Sequence, residues 1–213
     1  MFPSLRCRRR DALTAELKGR GRTEAGFSLI ELMVVLLIIA ILLAVAIPTF
    51  LGVSGSANDR SAQSNLSNGL TEATSVFHGN GQSYNGISGL LVASAPELSW
   101  VAASSTPNAG SNQVSVNSVD VSSSGDGRGV VMAAQSKNGG MCWYIAQLNA
   151  TPAAAGIAST GFNTTGSGTG FQSSATTAGT YFAKSTTTCK ANYPESKAGG
   201  FTWGPSYESA GSD

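Results

Sequence analysis

Apolar and polar positions divide the chain into three regions with different periods. From Leu32 to Asn58 no charged residue occurs, and Phe27 to Ile47 reads FSLIELMVVLLIIAILLAVAI. Those 21 residues, at 1.5 Å rise each, make a helix of about 31 Å, the thickness of a bilayer's hydrocarbon core. Beyond Pro48, Leu66, Leu70, Ala73 and Phe77 fall at i, i+4, i+7 and i+11 with polar residues between them. That stripe predicts an amphipathic helix reaching about Phe77. Its many Ser, Asn and Gly residues are weak helix formers, so it needs a body to pack on.

The region from 79 to 213 supplies that body, and its period is two. Alternation in Val114-Ser115-Val116 and in Val119-Asp120-Val121 predicts half-buried strand, with the extra residue between the two pairs suggesting a bulge. The apolar runs 129–136 (GVVMAAQS) and 141–147 (MCWYIAQ) flank Lys137-Asn138-Gly139-Gly140, an Asn-Gly hairpin signal. A further strand is predicted at 180–184 (TYFAK), whereas 150–178 is nearly all small and polar and reads as a long surface loop. Gly166 to Gly170 (GSGTG) within it has neither a preceding strand nor a following helix, so it reads as a flexible segment and not a phosphate cradle. The expected fold class is α+β, a long N-terminal membrane-spanning helix (27–78; 27–47 transmembrane, 48–78 amphipathic) packed on a small antiparallel sheet (79–213).

Composition alone, 41% apolar and 12% charged over 213 residues, describes an ordinary globular chain. Charge distribution changes that picture. Residues 1–26 carry a net +4 and the remainder a net −3. A basic head before an apolar run is a targeting or anchoring layout that keeps the head in the cytoplasm and exports the remainder of the chain. Two fates compete. A secretory peptidase would cut after Ala46, at the small-x-small triplet Ala44-Val45-Ala46, and release a soluble protein. Alternatively the cut falls between Gly26 and Phe27 and the helix is kept.

Glu31 favours the second fate. A carboxylate within a membrane segment costs roughly 2.5 to 3.5 kcal/mol or more unless it lies near the interface or meets a partner, and a disposable signal has no use for that cost. A cut at Gly26 creates an ammonium at Phe27. An opposite charge at 4 Å contributes about 4 kcal/mol at an effective dielectric of 20, enough to offset the burial. The amine of a neighbouring chain shifted along the helix axis meets the need as well as the chain's own.

These residues resemble the type IV pilins and the pseudopilins of type II secretion and competence systems: Gly26, Phe27, Glu31 as fifth residue after the cut, the uncharged run, and Pro48 at the twenty-second place. The resemblance covers about Gly26 to Leu51. It implies that a prepilin peptidase removes the leader 1–26 and methylates the Phe27 amine. It further implies that retained helices pack with identical or related subunits, Glu31 meeting a neighbour's Phe27, under a cytoplasmic ATPase and a membrane platform protein. The expected product is a surface filament for adhesion, motility or uptake, its subunits held in the inner membrane before assembly. The leader is longer than the family's shortest and contains Cys7, which the cut discards. Pro48 frees the carbonyl of Ala44 and is expected to kink or locally melt the helix, or else to end the span.

Of the cysteines that remain, Cys142 and Cys189 form an even pair in an exported region and read as a disulfide; free thiols or a metal pair are the alternatives. In pilin-like proteins such a bond commonly bounds a C-terminal surface loop. No enzyme is expected: His78 stands alone at a helix end, and Asp120, Asp126, Glu195, Glu208 and Asp213 are scattered singly, without Ca²⁺-loop spacing. No cofactor or metal is implied. Arg60, Arg128, Lys137, Lys184, Lys190 and Lys197 form no run, which disfavours nucleic acid unless folding gathers the last three. The aromatic tail 201–207 (FTWGPSY) reads as a core cap in preference to a subunit contact.

Overall fold

The computed structural model describes residues 26–122, 125–137, 140–152, 177–196 and 202–210. The described residues divide into two units, the first ending at Thr49 and the second beginning at Phe50. A single helix, α1 (Leu29–Gly79), contributes to both and runs through Pro48. Four of its hydroxyl-bearing residues bond back into the helix. Thr49 Oγ1 donates to the carbonyls of Ala46 and Val45, at 2.9 and 3.2 Å, and Ser67, Thr71 and Thr74 each donate to the carbonyl four residues back. Polar groups that compete with helical hydrogen bonds elsewhere are thus tied into the helix itself. The helix ends where Gly81 and Gln82 adopt left-handed φ, with the Gln82 amide donating to Phe77 O.

In the second unit α1 is followed by α2 (Ile87–Ser94), β1 (Ser99–Val101), β2 (Gln113–Val119), β3 (Gly129–Gln135), β4 (Cys142–Leu148), β5 (Gly179–Ser185) and a single turn, α3 (Tyr193–Ser196). The strands form one sheet in the order β1-β2-β3-β4-β5. The stretch β2 to β5 is antiparallel as expected, but edge strand β1 runs parallel to β2. The architecture is therefore α+β with a five-stranded, mostly antiparallel sheet.

The apolar stripe of α1 packs as its spacing predicts. Ala62, Leu66, Ala73 and Phe77 are buried and Leu70 lies against the same cluster, which includes Val114, Val116, Val130, Met132, Ala134, Trp143 and Ile145. Gly69 lets the layers approach: a Cβ there would sit 3.1 Å from Trp100 Cη2 and 3.3 Å from Met132 Sδ.

The opposite face of the sheet is also buried. Val119, Val121, Val131, Ala133, Tyr144, Ala146 and Leu148 pack with Cys189 and Trp203 from the C-terminal segment. This explains why the bulge expected between Val116 and Val119 is absent. The β2–β3 register runs unbroken from Ser115↔Ala133 to Val119↔Gly129. Val114 and Val116 face the helix while Val119 and Val121 face the C-terminal cover, so no extra residue is needed to bring them to one side.

The tail reaches both layers, Trp203 on this face and Tyr207 on the helix-facing side. Phe182 and Gly204 exchange backbone hydrogen bonds at 2.8 Å, after which Tyr207 packs edge-on against Trp143 and Phe182. Trp203 and Tyr207 thus cover the core, as the aromatic pattern predicts; Phe201 lies outside the described residues. Gly204 is required by close approach, because a Cβ would lie 2.5 Å from Ser209 O. The Asn138-Gly139 turn and most of the 150–178 loop, with Gly166 to Gly170, also lie outside the described residues.

Candidate functional site

The N-terminal unit presents an exposed apolar surface with one acidic residue at its entrance. Gly26, Phe27 and Ser28 precede the helix in non-helical conformation. The Leu32 amide closes the first turn on Ser28 O at 3.2 Å. Glu31 sits in that first turn, where the free amides of a helix N-terminus favour negative charge. Phe27 is 84% exposed, and from Leu29 to Ile47 every large apolar side chain is at least 45% exposed. An 18-residue window of α1 has mean hydropathy 3.2 and is wholly unburied, long and apolar enough to cross a membrane. Such a surface needs lipid or other helices around it.

One polar feature interrupts it. Phe27 and Glu31 stand four positions apart at the entrance of the helix, and from Leu32 the run is uncharged to Asn58. Residues 21–47 match the family model for the prokaryotic N-terminal methylation motif. That motif is the signature of type IV pilins and pseudopilins. It spans Gly26, Phe27 and Glu31 and ends one residue before Pro48, which α1 carries within its length. Comparison with curated proteins and with solved structures gives no match.

The remaining site residues divide between structure and surface. Cys142 and Cys189 are bonded, with S–S 2.00 Å, and both are buried, joining the first residue of β4 to the chain beyond β5. Tyr144 reinforces that join by donating its hydroxyl to Thr188 O at 2.6 Å and accepting from the Lys190 amide at 3.3 Å. His78 is exposed at the end of α1, its ring edge-on to Phe77. Lys184 and Lys190 line separate clefts, and Lys197 lies outside the described residues. Among the described residues no group of three His, Cys, Asp or Glu side chains is placed to hold a metal.

Two arrangements escaped the linear reading. Asp120 and Asp126 come together around the β2–β3 turn. Asp120 accepts from the amides of Gly125 and Gly127, and Asp126 from those of Val121, Ser122 and Arg128 and from the Ser122 hydroxyl. Burial raises the Asp126 pKa, but these four donors together outweigh it and hold the carboxyl at about 2. The glycines flanking Asp126 were the available signal. A second arrangement is a cleft of about 310 Å³ in which Asp59 and Arg60 of α1 face Trp143, Lys184 and Tyr207. Only the fold brings those residues together.

Proposed function

We propose that the protein is a filament subunit of the type IV pilin kind, a structural and not a catalytic component. On this reading prepilin peptidase cuts between Gly26 and Phe27 and methylates the Phe27 amine. The retained helix holds the subunit in the inner membrane, and assembly moves it into an extracellular fibre used in adhesion, motility or uptake. One observation carries the proposal: a helix too apolar for water coincides with the methylation motif and holds a single carboxylate in its first turn.

Assembly follows from the electrostatics of that carboxylate. In lipid, Glu31 is costly alone and stabilised by an ammonium within about 4 Å. Side-by-side packing with an axial shift brings each Glu31 to a neighbour's Phe27, so lipid drives partnering that water would not. The ATPase and platform protein act as indirect partners. A pseudopilin of a secretion or competence system shares the motif and the same electrostatics; surface fibres seen by electron microscopy in wild type and lost on deletion distinguish the pilin.

The N-terminus of the mature chain tests the proposal. Phe27 as first residue, carrying one methyl group, is the expected result. A chain beginning at Ile47 has lost its helix and overturns it.

A further inference from the structure

Outside the 27–47 segment, the large apolar side chains exposed among the described residues are Phe50, Val53, Leu90 and Val92. Val92 is 60% exposed and forms one wall of a groove of about 340 Å³ whose other walls are Pro96, Leu98, Ser99, Trp100 and Asn112. No charged residue lines it. Two of its polar groups are engaged within the chain: Trp100 Nε1 donates to Ala95 O and Asn112 Nδ2 to Glu97 O, both at 2.9 Å. The groove is thus an uncharged depression walled by an exposed valine, the kind of patch that marks an interaction site.

We infer that this groove receives Phe50 of a second copy of the chain, with Val53 one turn further along the same helix closing over its rim. This rests on the filament reading. Phe50 is 73% and Val53 68% exposed, and the chain around them, 48–58, is uncharged like the groove. Chemically the two surfaces complement each other. A symmetric contact, groove on groove, would close a dimer and leave Phe50 and Val53 bare. The heterologous contact covers both surfaces with one interface and, combined with an axial displacement, repeats without closing, which is what a fibre requires.

The helix itself sets the geometry of the contact. Leu98 and Trp100 lie against α1 at Gly69, nineteen residues beyond Phe50 in continuous helix, or about 28 Å at the α-helical rise. Two copies with parallel α1 helices make this contact when one is displaced by about that distance along the axis.

Mixed expression of a Phe50→Cys chain with a Val92→Cys chain, in cells that make fibres, tests the inference. Sheared fibres treated with mild oxidant are expected to yield a mixed dimer on a non-reducing gel, because a disulfide forms only when Cα atoms come within about 7 Å. Phe50→Cys paired with Ser75→Cys, an exposed position away from the groove, is expected to give none. Val92→Asp is expected to lower fibre yield at least tenfold with processing and membrane retention unchanged, while Val92→Leu assembles normally. Fibres that show neither the mixed dimer nor sensitivity to Val92→Asp overturn the contact alone. Absence of fibres from the wild-type chain overturns the filament reading, and this contact with it.

Discussion

The indole nitrogen of Trp143 donates to Asp59 Oδ1 at 3.3 Å, joining β4 to α1 across 84 positions of sequence. Trp143 also packs edge-on against Tyr207, so one side chain ties helix, sheet and C-terminal tail together. A partly buried bond to a carboxylate at this length stabilises by about 1 kcal/mol. Asp59→Ala is therefore expected to lower the midpoint of thermal unfolding of the detergent-solubilised protein by about 2–4 °C. Asp59→Asn, which keeps an acceptor, should lie between the two. An unchanged midpoint in Asp59→Ala would show that the join is carried by apolar packing alone.

That bond also shows where linear reading stops. Period located the stripe Leu66, Leu70, Ala73 and Phe77, and apolar runs on either side of an Asn-Gly signal located β3 and β4, because the stripe buries one continuous face and the two strands cross the core whole. The short α2 escaped because eight uncharged residues, ISGLLVAS, carry no full amphipathic repeat. β1 has three residues, too few to show a period, and its strand pairing is with β2. The missing bulge arose from assuming one buried face, when the C-terminal segment covers the other. At the N-terminus, the methylation motif was legible because its pattern is local and continuous in sequence; the cleft around Asp59 draws on four separated segments and leaves no local trace.

The Cys142–Cys189 bond closes a 47-residue separation that contains the long polar segment after β4. In the chain-entropy account a loop of that size stabilises by roughly 4 kcal/mol, and replacement by serine in small exported domains costs about 2–5 kcal/mol. The double variant Cys142→Ser, Cys189→Ser is expected to unfold at markedly lower urea concentration, with a steeper slope because the unlinked denatured chain exposes more surface. Because Cys142, Cys189 and Tyr144 share the buried face with Trp203, protease sensitivity should appear first in the tail beyond Cys189. Equal urea midpoints for the variant and the wild type would rule out a stabilising role.

Acid provides a separate probe of the β2–β3 turn. Burial works against the charged form of Asp126, but the Ser122 hydroxyl and the amides of Val121, Arg128 and Ser122 prevail and depress its pKa from 3.8 to about 2. A depressed folded-state pKa contributes stability that is present above the unfolded value and is lost as pH falls from about 4 through about 2. Allowing for the solvent around this partly exposed carboxylate, the contribution is about 1 kcal/mol. Urea melts between pH 5 and pH 2 are expected to lose that increment in wild type. In Asp126→Asn the loss across this window should be smaller. Parallel pH profiles for the two proteins would place the acid sensitivity elsewhere.

Glu31 tests the proposed assembly most directly, because its roles in export and in packing make different demands. Removing a carboxylate from an apolar segment makes membrane retention easier, so Glu31→Ala should be exported, cut after Gly26 and held in the membrane at wild-type levels. The same change removes the partner of an adjoining Phe27 ammonium and leaves that cation in lipid. If the pair contributes even about 3 kcal/mol to each subunit contact, its loss weakens that contact more than a hundredfold. Fibre yield is therefore expected to fall at least tenfold in Glu31→Ala. Glu31→Gln sharpens the test by keeping length and hydrogen-bonding capacity while removing charge. If charge pairing drives docking, Glu31→Gln resembles Glu31→Ala in sheared-fibre yield; if a hydrogen bond or shape suffices, it assembles normally. Normal fibres from Glu31→Gln would exclude the ion pair as the driving interaction, since nothing else about the helix surface has changed.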